Sequence, residues 1–145
     1  MQRDILANHK IADLRVSASQ DIGTANQLDI DLMELSDSPG LYERTSKGLV
    51  LVEVTDVSGG TLDLIMSDSP DDVTYDADFA TIEQIDATGL YAFVVDGINR
   101  HFRLAATVAT HAVVWGAKFI GFEAERRPVK QSDVTELTVT YGSGR

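Results

Sequence analysis

The sequence predicts an all-β domain, built as a single antiparallel β-sandwich or jelly roll. Between Lys47 and Phe122, one short β-rich run follows another along the chain. Clusters of Gly, Pro, Asp and Ser separate these runs, as they separate the strands of sandwiches and barrels. Apolar and polar residues alternate within most runs, which is the pattern of strands that bury one face. Roughly eight or nine strands of this kind are typical of a two-sheet fold.

The chain has 145 residues, the length of one domain. At this size, folding buries roughly 68–70% of the surface of the unfolded chain, so stability requires no disulfide or metal. We divide the chain into an N-terminal arm at residues 1–12, a β-sandwich domain at residues 13–125 and a C-terminal arm at residues 126–145. The sequence contains no cysteine, which favours assembly in a reducing cytosol.

The first half of the chain predicts four strands. Residues 11–19 alternate loosely, and residues 28–32 alternate cleanly between apolar residues and aspartate. Residues 47–55 begin apolar on both faces, which predicts a buried central strand. Residues 61–66 alternate again, with Leu62, Leu64 and Met66 on the inward face. Because only residues 56–60 connect the last two runs, we expect them to form a β-hairpin.

The second half continues the pattern. A turn cluster at residues 67–72 precedes an expected short edge strand at Val73–Tyr75 and a strand at Phe79–Ile85. Leu90–Val95 is a compact apolar strand. The last two core strands place the following residues inward: Phe102, Leu104, Ala106 and Val108, then Val113, Trp115, Ala117 and Phe119. Gly116 indicates a bulge or a close approach of the backbone.

Residues 134–141 alternate weakly after the core is already complete. This segment has two interpretations, which the sequence leaves open. It can be an arm that adds a strand to a neighbour's sheet edge, or a strand that folds back on its own sandwich.

No pattern in the sequence indicates catalysis. Acidic residues cluster at Asp68, Asp71, Asp72, Asp76 and Asp78, but their spacing differs from that of an EF-hand loop. The three histidines lie far apart and lack metal-ligand spacing. The nucleophile-elbow motif and the Gly-rich phosphate loop are both missing from the sequence. We therefore expect no catalytic residues, no bound metal and no cofactor, and we do not expect an enzyme.

Charge and hydropathy restrict the partners. The net charge of −11 opposes binding to a phosphate backbone, so we expect no nucleic-acid partner. We expect no signal peptide and no membrane association, because no apolar stretch has the required length. A sugar-binding platform is a weaker possibility, because alternation places several of the candidate aromatic residues in the core; the candidates are Tyr42, Tyr75, Tyr91, Phe102, Trp115 and Phe119.

Six segments between Leu28 and Phe122 occur in a characteristic order. They are Leu28–Leu32, Gly48–Thr55, Gly59–Ser69, Asp78–Ile82, Ile98–Ala106 and Trp115–Ile120. In pattern and order, this block resembles the capsid cement, or head decoration, proteins of tailed bacteriophages. Residues 1–20 and the residues after Arg126 lie outside the resemblance.

The resemblance implies a sandwich or jelly roll that stabilises the phage head from outside. Such a protein binds as a homotrimer and clamps neighbouring subunits of the major capsid protein. Its location is the outer surface of the virion, after assembly in the host cytoplasm. We expect the two arms to supply the interface, through Ile5, Leu6, Arg126, Arg127, Lys130, Val134, Leu137, Val139 and Tyr141. The alternative function is a receptor- or carbohydrate-binding β-sandwich module of a phage tail or baseplate.

Overall fold

The structure, a computed structural model, describes residues 10–32, 47–75, 80–121 and 136–141. Within these ranges, every regular element is a β-strand and none is a helix. The strands form two sheets around one hydrophobic core. The prediction of an all-β sandwich is therefore confirmed at this level.

The described ranges contain nine strands. They are β1 Lys10–Gln20, β2 Ala25–Asp31, β3 Lys47–Asp56, β4 Thr61–Ser69, β5 Ala80–Thr81, β6 Gly89–Asp96, β7 His101–Ala109, β8 Val113–Gly121 and β9 Glu136–Tyr141. One sheet has five strands in the order β1-β8-β3-β6-β9, and the other has four in the order β2-β7-β4-β5. Neighbouring strands are antiparallel except for β6 and β9, which run parallel. In this one pairing the sandwich differs from the purely antiparallel one that the sequence predicts.

The core lies where the alternation predicts it. Val50 and Val52 of β3 face Leu62, Leu64 and the other inward residues of the four-stranded sheet, and all four are 0% exposed. The largest fully buried side chains are Trp115, Phe93, Phe102 and Phe119. Burying an aliphatic or aromatic side chain of this size contributes about 1.5–3 kcal/mol. The facing apolar sides of the two sheets therefore hold the sandwich together.

The predicted hairpin between β3 and β4 is wrong. β3 pairs with β6 and β8, whereas β4 pairs with β5 and β7. Their connection crosses between the sheets, with Ser58 and Gly59 at φ values of 46° and 79°. The Gly60 N–H then donates to the Val57 carbonyl at 2.5 Å. A short connection with turn residues can join two strands of one hairpin or two strands of different sheets. Its length alone therefore does not predict a hairpin.

The segment after β4 also differs from the prediction. Val73–Tyr75 is not a strand, and the expected strand at Phe79–Ile85 is reduced to Ala80–Thr81. The Asp71 carboxylate accepts the N–H groups of Val73 and Thr74 at 3.0 Å each, so both donors are bound within the loop. Phe79 lies outside the described residues. After β5, this segment contacts β4 through the Ile82 N–H, which donates to the Leu64 carbonyl at 3.0 Å, and through the isolated bridge between Leu62 and Ile85.

Gln20 at the end of β1 joins the two sheets. It is 3% exposed, and its amide donates to the carbonyls of Thr24 and Ala106 at 2.8 and 3.2 Å. Its carbonyl accepts the indole N–H of Trp115 at 3.0 Å and the amide of Asn26 at 2.9 Å. A buried polar group with all its hydrogen bonds made fixes the local packing. β1, β2, β7 and β8 are held together at this point.

Gly116 marks a close approach of two strands, as predicted. A Cβ atom there would lie 2.9 Å from the Ser17 nitrogen and 3.1 Å from the Arg15 carbonyl oxygen. The register of β1 against β8 shifts between Arg15 and Ala18. Glycine therefore allows the bulged part of β1 to lie against β8.

Candidate interaction surface

The outer face of the four-stranded sheet is polar, and its charges pair with one another. Arg103 of β7 donates to both carboxylate oxygens of Asp29 at 2.6 and 2.8 Å. Arg100, just before β7, makes the same two-pronged contact with Asp31 at 2.9 and 2.6 Å. The hydrogen bonds to Asp29 raise the pKa of Arg103. Such pairs hold both side chains in a fixed geometry.

Tyr75 closes this face above Arg103. The Arg103 guanidinium lies 3.7 Å from the centre of the Tyr75 ring, and the Tyr75 hydroxyl donates to Asp72 at 2.5 Å. Burial, together with the hydrogen bond to Asp72, raises the pKa of Tyr75. Ser67, opposite Arg103 on β4, is 8% exposed. This region is thus a completed polar cluster.

The predicted acidic cluster does not converge in the described part of the chain. Asp68 is buried and accepts the Asn99 N–H at 2.7 Å. Asp71 accepts the N–H groups of Thr74 and Val73 and the Ser69 hydroxyl, which together lower its pKa to about 2. Asp76 and Asp78 lie outside the described residues. Within the described ranges, no three acidic or histidine side chains are placed to hold a metal ion.

The outer face of the five-stranded sheet is different, because most of it is apolar. Alternation turns Leu49 and Leu51 of β3 outward, and both are partly exposed. Their register partners on this face are Ile120, Val94, Ala92 and the charged Lys118. Val94 and Ala92 are each 2% exposed although they are not part of the core. We call this surface, with Leu90, the apolar face.

A groove of about 380 Å³ lies on the apolar face. Leu51 and Leu90 line it on the side of β3 and β6, and Val16 of β1 lines the other side. Val16 is 76% exposed. Gly116 adds no side chain between them, so the bulge of β1 and the missing side chain leave this space open. A concave apolar lining of this kind suits an apolar side chain from a partner.

Most of the charges around the groove are already bound. Lys118 forms an ion pair with Asp13. Arg15 donates to the Trp115 carbonyl at 3.2 Å and to the carbonyls of Ala18 and Ser19. Its pKa is lowered by burial. Glu53 is exposed and has no ion-pair partner among the described residues.

The predicted interface residues fall into two groups. Leu137, Val139 and Tyr141 lie in β9, in register with Ala92, Val94 and Asp96 of the same chain. In this structure the C-terminal segment therefore pairs with its own sandwich, which is the second of the two interpretations. The others lie outside the described residues: Ile5, Leu6, Arg126, Arg127, Lys130 and Val134. Of the predicted arms, residues 10–12 belong to β1 and residues 136–141 form β9.

The candidate aromatic residues do not form a sugar platform in the described ranges. Phe102, Trp115 and Phe119 are 0% exposed, and Tyr91 is 7% exposed. Arg103 covers one face of the Tyr75 ring. Tyr42 lies outside the described residues. Stacking on a sugar requires an aromatic ring with an accessible face, and most of the candidate rings are buried in the core.

Sequence reasoning did not find the groove. The apolar residues on both faces at the start of β3 predict a central strand that is buried early in its length; β3 is central, but Leu49 and Leu51 are partly exposed. The loose alternation of β1 and the glycine at position 116 were the available signals. Only the structure shows that these two features lie against each other.

Comparisons with protein-family models and with curated proteins give no relative. No protein-family model matches the chain, and no curated protein matches it. Within the described ranges, no helix has the length and hydropathy needed to cross a bilayer. A functional assignment therefore depends on the geometry of the surface.

Proposed function

We propose that the protein is a phage cement protein, which binds the outside of the capsid and clamps neighbouring major capsid subunits as a homotrimer. The observation that carries the proposal is the apolar face of the five-stranded sheet. Leu49, Leu51, Leu90 and Ile120 are partly exposed on this one surface. Exposed apolar surface marks interaction sites in folded proteins, and here it consists of partly exposed side chains around the buried Ala92 and Val94.

The proposal includes a jelly roll, which the strand order supports. β1 pairs with β8, β2 with β7, β3 with β6, and β4 with β5. This nested set of pairs is what results when one long hairpin is wrapped into two sheets. Jelly rolls are frequent in viral capsid and lectin domains. A fold shared with other proteins is only an analogy and does not establish function. Support for a function has to come from the residues on the surface.

The polar cluster supports an orientation on the particle. The charges of Arg103 and Arg100 are matched by Asp29 and Asp31 within the same sheet. That face needs no partner, so in the proposal it points to solvent while the apolar face meets the shell. The net charge of −11 helps to keep a crowded particle soluble.

Extended terminal arms complete the proposed clamp. Arg126, Arg127 and Lys130 precede β9 in the sequence and would meet acidic patches on the major capsid protein, which is the proposed partner. Val134 and β9 would extend the contact along a sheet edge. Ile5 and Leu6 would supply apolar anchors from the other end of the chain.

Co-sedimentation with expanded capsids of the phage that encodes this chain tests the proposal. We expect the purified protein to pellet with the capsids. Leu49→Ser, on the apolar face, should weaken binding about tenfold or more, because an apolar anchor is lost. Ile65→Ser is the matched control, since Ile65 is a partly exposed aliphatic residue of the other sheet. A wild-type protein that stays in the supernatant, or equal losses in the two variants, contradicts the proposal.

Charge reversal tests the C-terminal arm without removing β9. The double variant Arg126→Glu, Arg127→Glu should bind capsids less tightly, with the largest difference at low salt. Full binding by this variant removes the arm from the mechanism. A glycan array tests the alternative of a carbohydrate-binding module. A specific glycan signal without capsid binding would favour that alternative.

A further inference from the structure

We infer that a second copy of this chain pairs with the free edge of β2, strand against strand, so that the two four-stranded sheets become one continuous sheet. The contact is antiparallel and is centred on Leu28 of each copy. It goes beyond the proposed function, because it lies at a sheet edge and not on the apolar face, and it requires no capsid.

β2 is an open edge in the described part of the chain. It pairs with β7 along Ala25–Asp31 without a register shift, and no described strand lies on its other side. A regular edge strand presents unpaired N–H and C=O groups to any other strand. The sequence of β2 contains neither proline nor lysine, the residues that commonly block such pairing.

The other sheet edges are less suited to this contact. β1 has two register shifts against β8, and bulges of this kind protect an edge. β5 has only two residues. β9 is regular, but the proposed function already assigns it to the capsid. β2 is therefore the regular edge that remains for a second copy.

The hydrogen bonding of β2 determines which residues direct their backbone groups to the free edge. The Leu32 N–H donates to the Arg100 carbonyl at 2.8 Å, so the backbone groups of Leu32 point toward β7. This direction alternates along an antiparallel strand. Leu28 therefore bonds toward β7 as well, whereas Gln27 and Asp29 direct their N–H and C=O groups to the free edge.

The register centred on Leu28 uses these groups best. Leu28 is the middle residue of Ala25–Asp31, so a pair centred on it uses the whole strand. Gln27 then lies opposite Asp29 of the second copy, and the twofold axis repeats this pair. The Gln27 carboxamide donates to the carboxylate, which is a favourable cross-strand pair. A pair centred on Asp29 would instead place two carboxylates opposite each other.

Charge does not oppose the contact at this edge. The net charge of −11 disfavours association in general. However, Asp29 is paired with Arg103, and Asp31 with Arg100. The Asp29 side chain is 43% exposed, so its oxygens are accessible to Gln27 of the second copy. The ion pairs of the polar cluster therefore neutralise the edge at which two acidic chains would meet.

A single engineered cysteine tests the register, because the chain contains no cysteine. In the inferred pair, the two Leu28 Cα atoms lie about 4.5 Å apart, which is within the range of a disulfide. Leu28→Cys should therefore form a covalent dimer on oxidation, seen on a non-reducing gel and lost on reduction.

Ile30→Cys is the matched control for this experiment. Like Leu28, Ile30 is partly buried against the core, but the two Ile30 residues would lie four positions out of register, about 14 Å apart. This variant should remain monomeric on the gel. Cross-linking of Leu28→Cys that does not exceed that of Ile30→Cys overturns the inference.

A surface substitution tests the contact without changing the core. Gln27→Glu replaces both Gln–Asp pairs with facing carboxylates, so the dissociation constant of the β2 contact should rise about tenfold in sedimentation velocity. Gln84→Glu is the matched control, since Gln84 is exposed and lies 3.2 Å from Asp63 of the same sheet. It should leave the dissociation constant unchanged. Equal shifts in the two variants, or a wild-type protein without dimers or other even-numbered assemblies, contradict the inference.

Discussion

The outer faces of the two sheets meet their surroundings in opposite ways. On the four-stranded sheet, Arg103 is bonded to Asp29 and stacked on Tyr75, so each charged or aromatic group has a partner within the same chain. On the five-stranded sheet, Leu49 and Leu51 are partly exposed beside a groove. The charged groups of the first face are paired within the chain, whereas the second face leaves apolar side chains partly exposed.

The difference shows where selection for binding would act. Both sheets contribute fully buried residues to the core, so the contrast between them lies on their outer faces. A polar outer face with internal pairs contributes modest stability and limits unwanted association. On the apolar outer face, Ala92 and Val94 are already buried within the chain, whereas the partly exposed leucines leave surface that an assembly can bury. The contrast can be tested by breaking each face separately.

We expect the largest loss in the free energy of unfolding for a substitution at Gly116, which lies beneath the groove. Gly116→Val would force a side chain into the backbone of β1, which lies about 3 Å from the position of the new Cβ. Overpacking of this kind costs about 1–3 kcal/mol, and we expect a value near the top of that range. Urea unfolding measures the loss. Lys118→Val, on the same strand but exposed, is the control and should cost less than about 1 kcal/mol.

We expect the next largest loss in the free energy of unfolding for substitutions in the polar cluster. Arg103→Met keeps an apolar stem but removes the bonds to Asp29 and the stacking on Tyr75, and should cost about 1 kcal/mol. Arg100→Met removes a similar pair with Asp31 in a more exposed place, where the Arg100 side chain is 46% exposed. Thermal unfolding of both variants isolates the effect of stacking. Equal losses would show that Tyr75 adds nothing.

Leu90→Ser should change the free energy of unfolding only slightly, but it should clearly reduce the binding of a hydrophobic dye. Leu90 is only partly buried, so its removal should cost less than about 1 kcal/mol. The folded variant should bind less of a hydrophobic fluorescent dye, because the groove loses one apolar side. Ile65→Ser on the other sheet should leave dye fluorescence unchanged. The opposite order would contradict the assignment of the apolar face.

We expect the smallest effect on stability from the titration of Asp71. The hydrogen bonds from Thr74, Val73 and Ser69 lower the pKa of Asp71 to about 2 from 3.8. The ionised form is therefore favoured in the folded state, so this contribution to stability is complete above pH 3.8 and is lost as the pH falls through about 2. Amide NMR shifts of Val73 and Thr74 should titrate with a midpoint near the lower value. A midpoint at 3.8 would contradict the loop geometry.

The sequence predicted the strands better than their partners. Alternation correctly assigned Trp115, Phe102 and Leu64 to the core, because a period of two reports which face is buried. It could not report which strand lies beside which, so β3 and β4 were wrongly paired. The groove was missed for the same reason. Its opposite sides, Val16 and Leu90, lie far apart in the chain, and no local pattern connects them.

The pairing of β1 with β8 also affects how the protein is made. Arg15 bonds to a carbonyl 100 residues later in the chain, and in the described structure β8 is the sole sheet neighbour of β1. A ribosome adding about 5–20 residues per second needs roughly 5–20 s to cover that distance. During synthesis β1 must therefore wait unpaired. Premature association of nascent chains, and the speed of translation through the second half, become determinants of the yield of native protein.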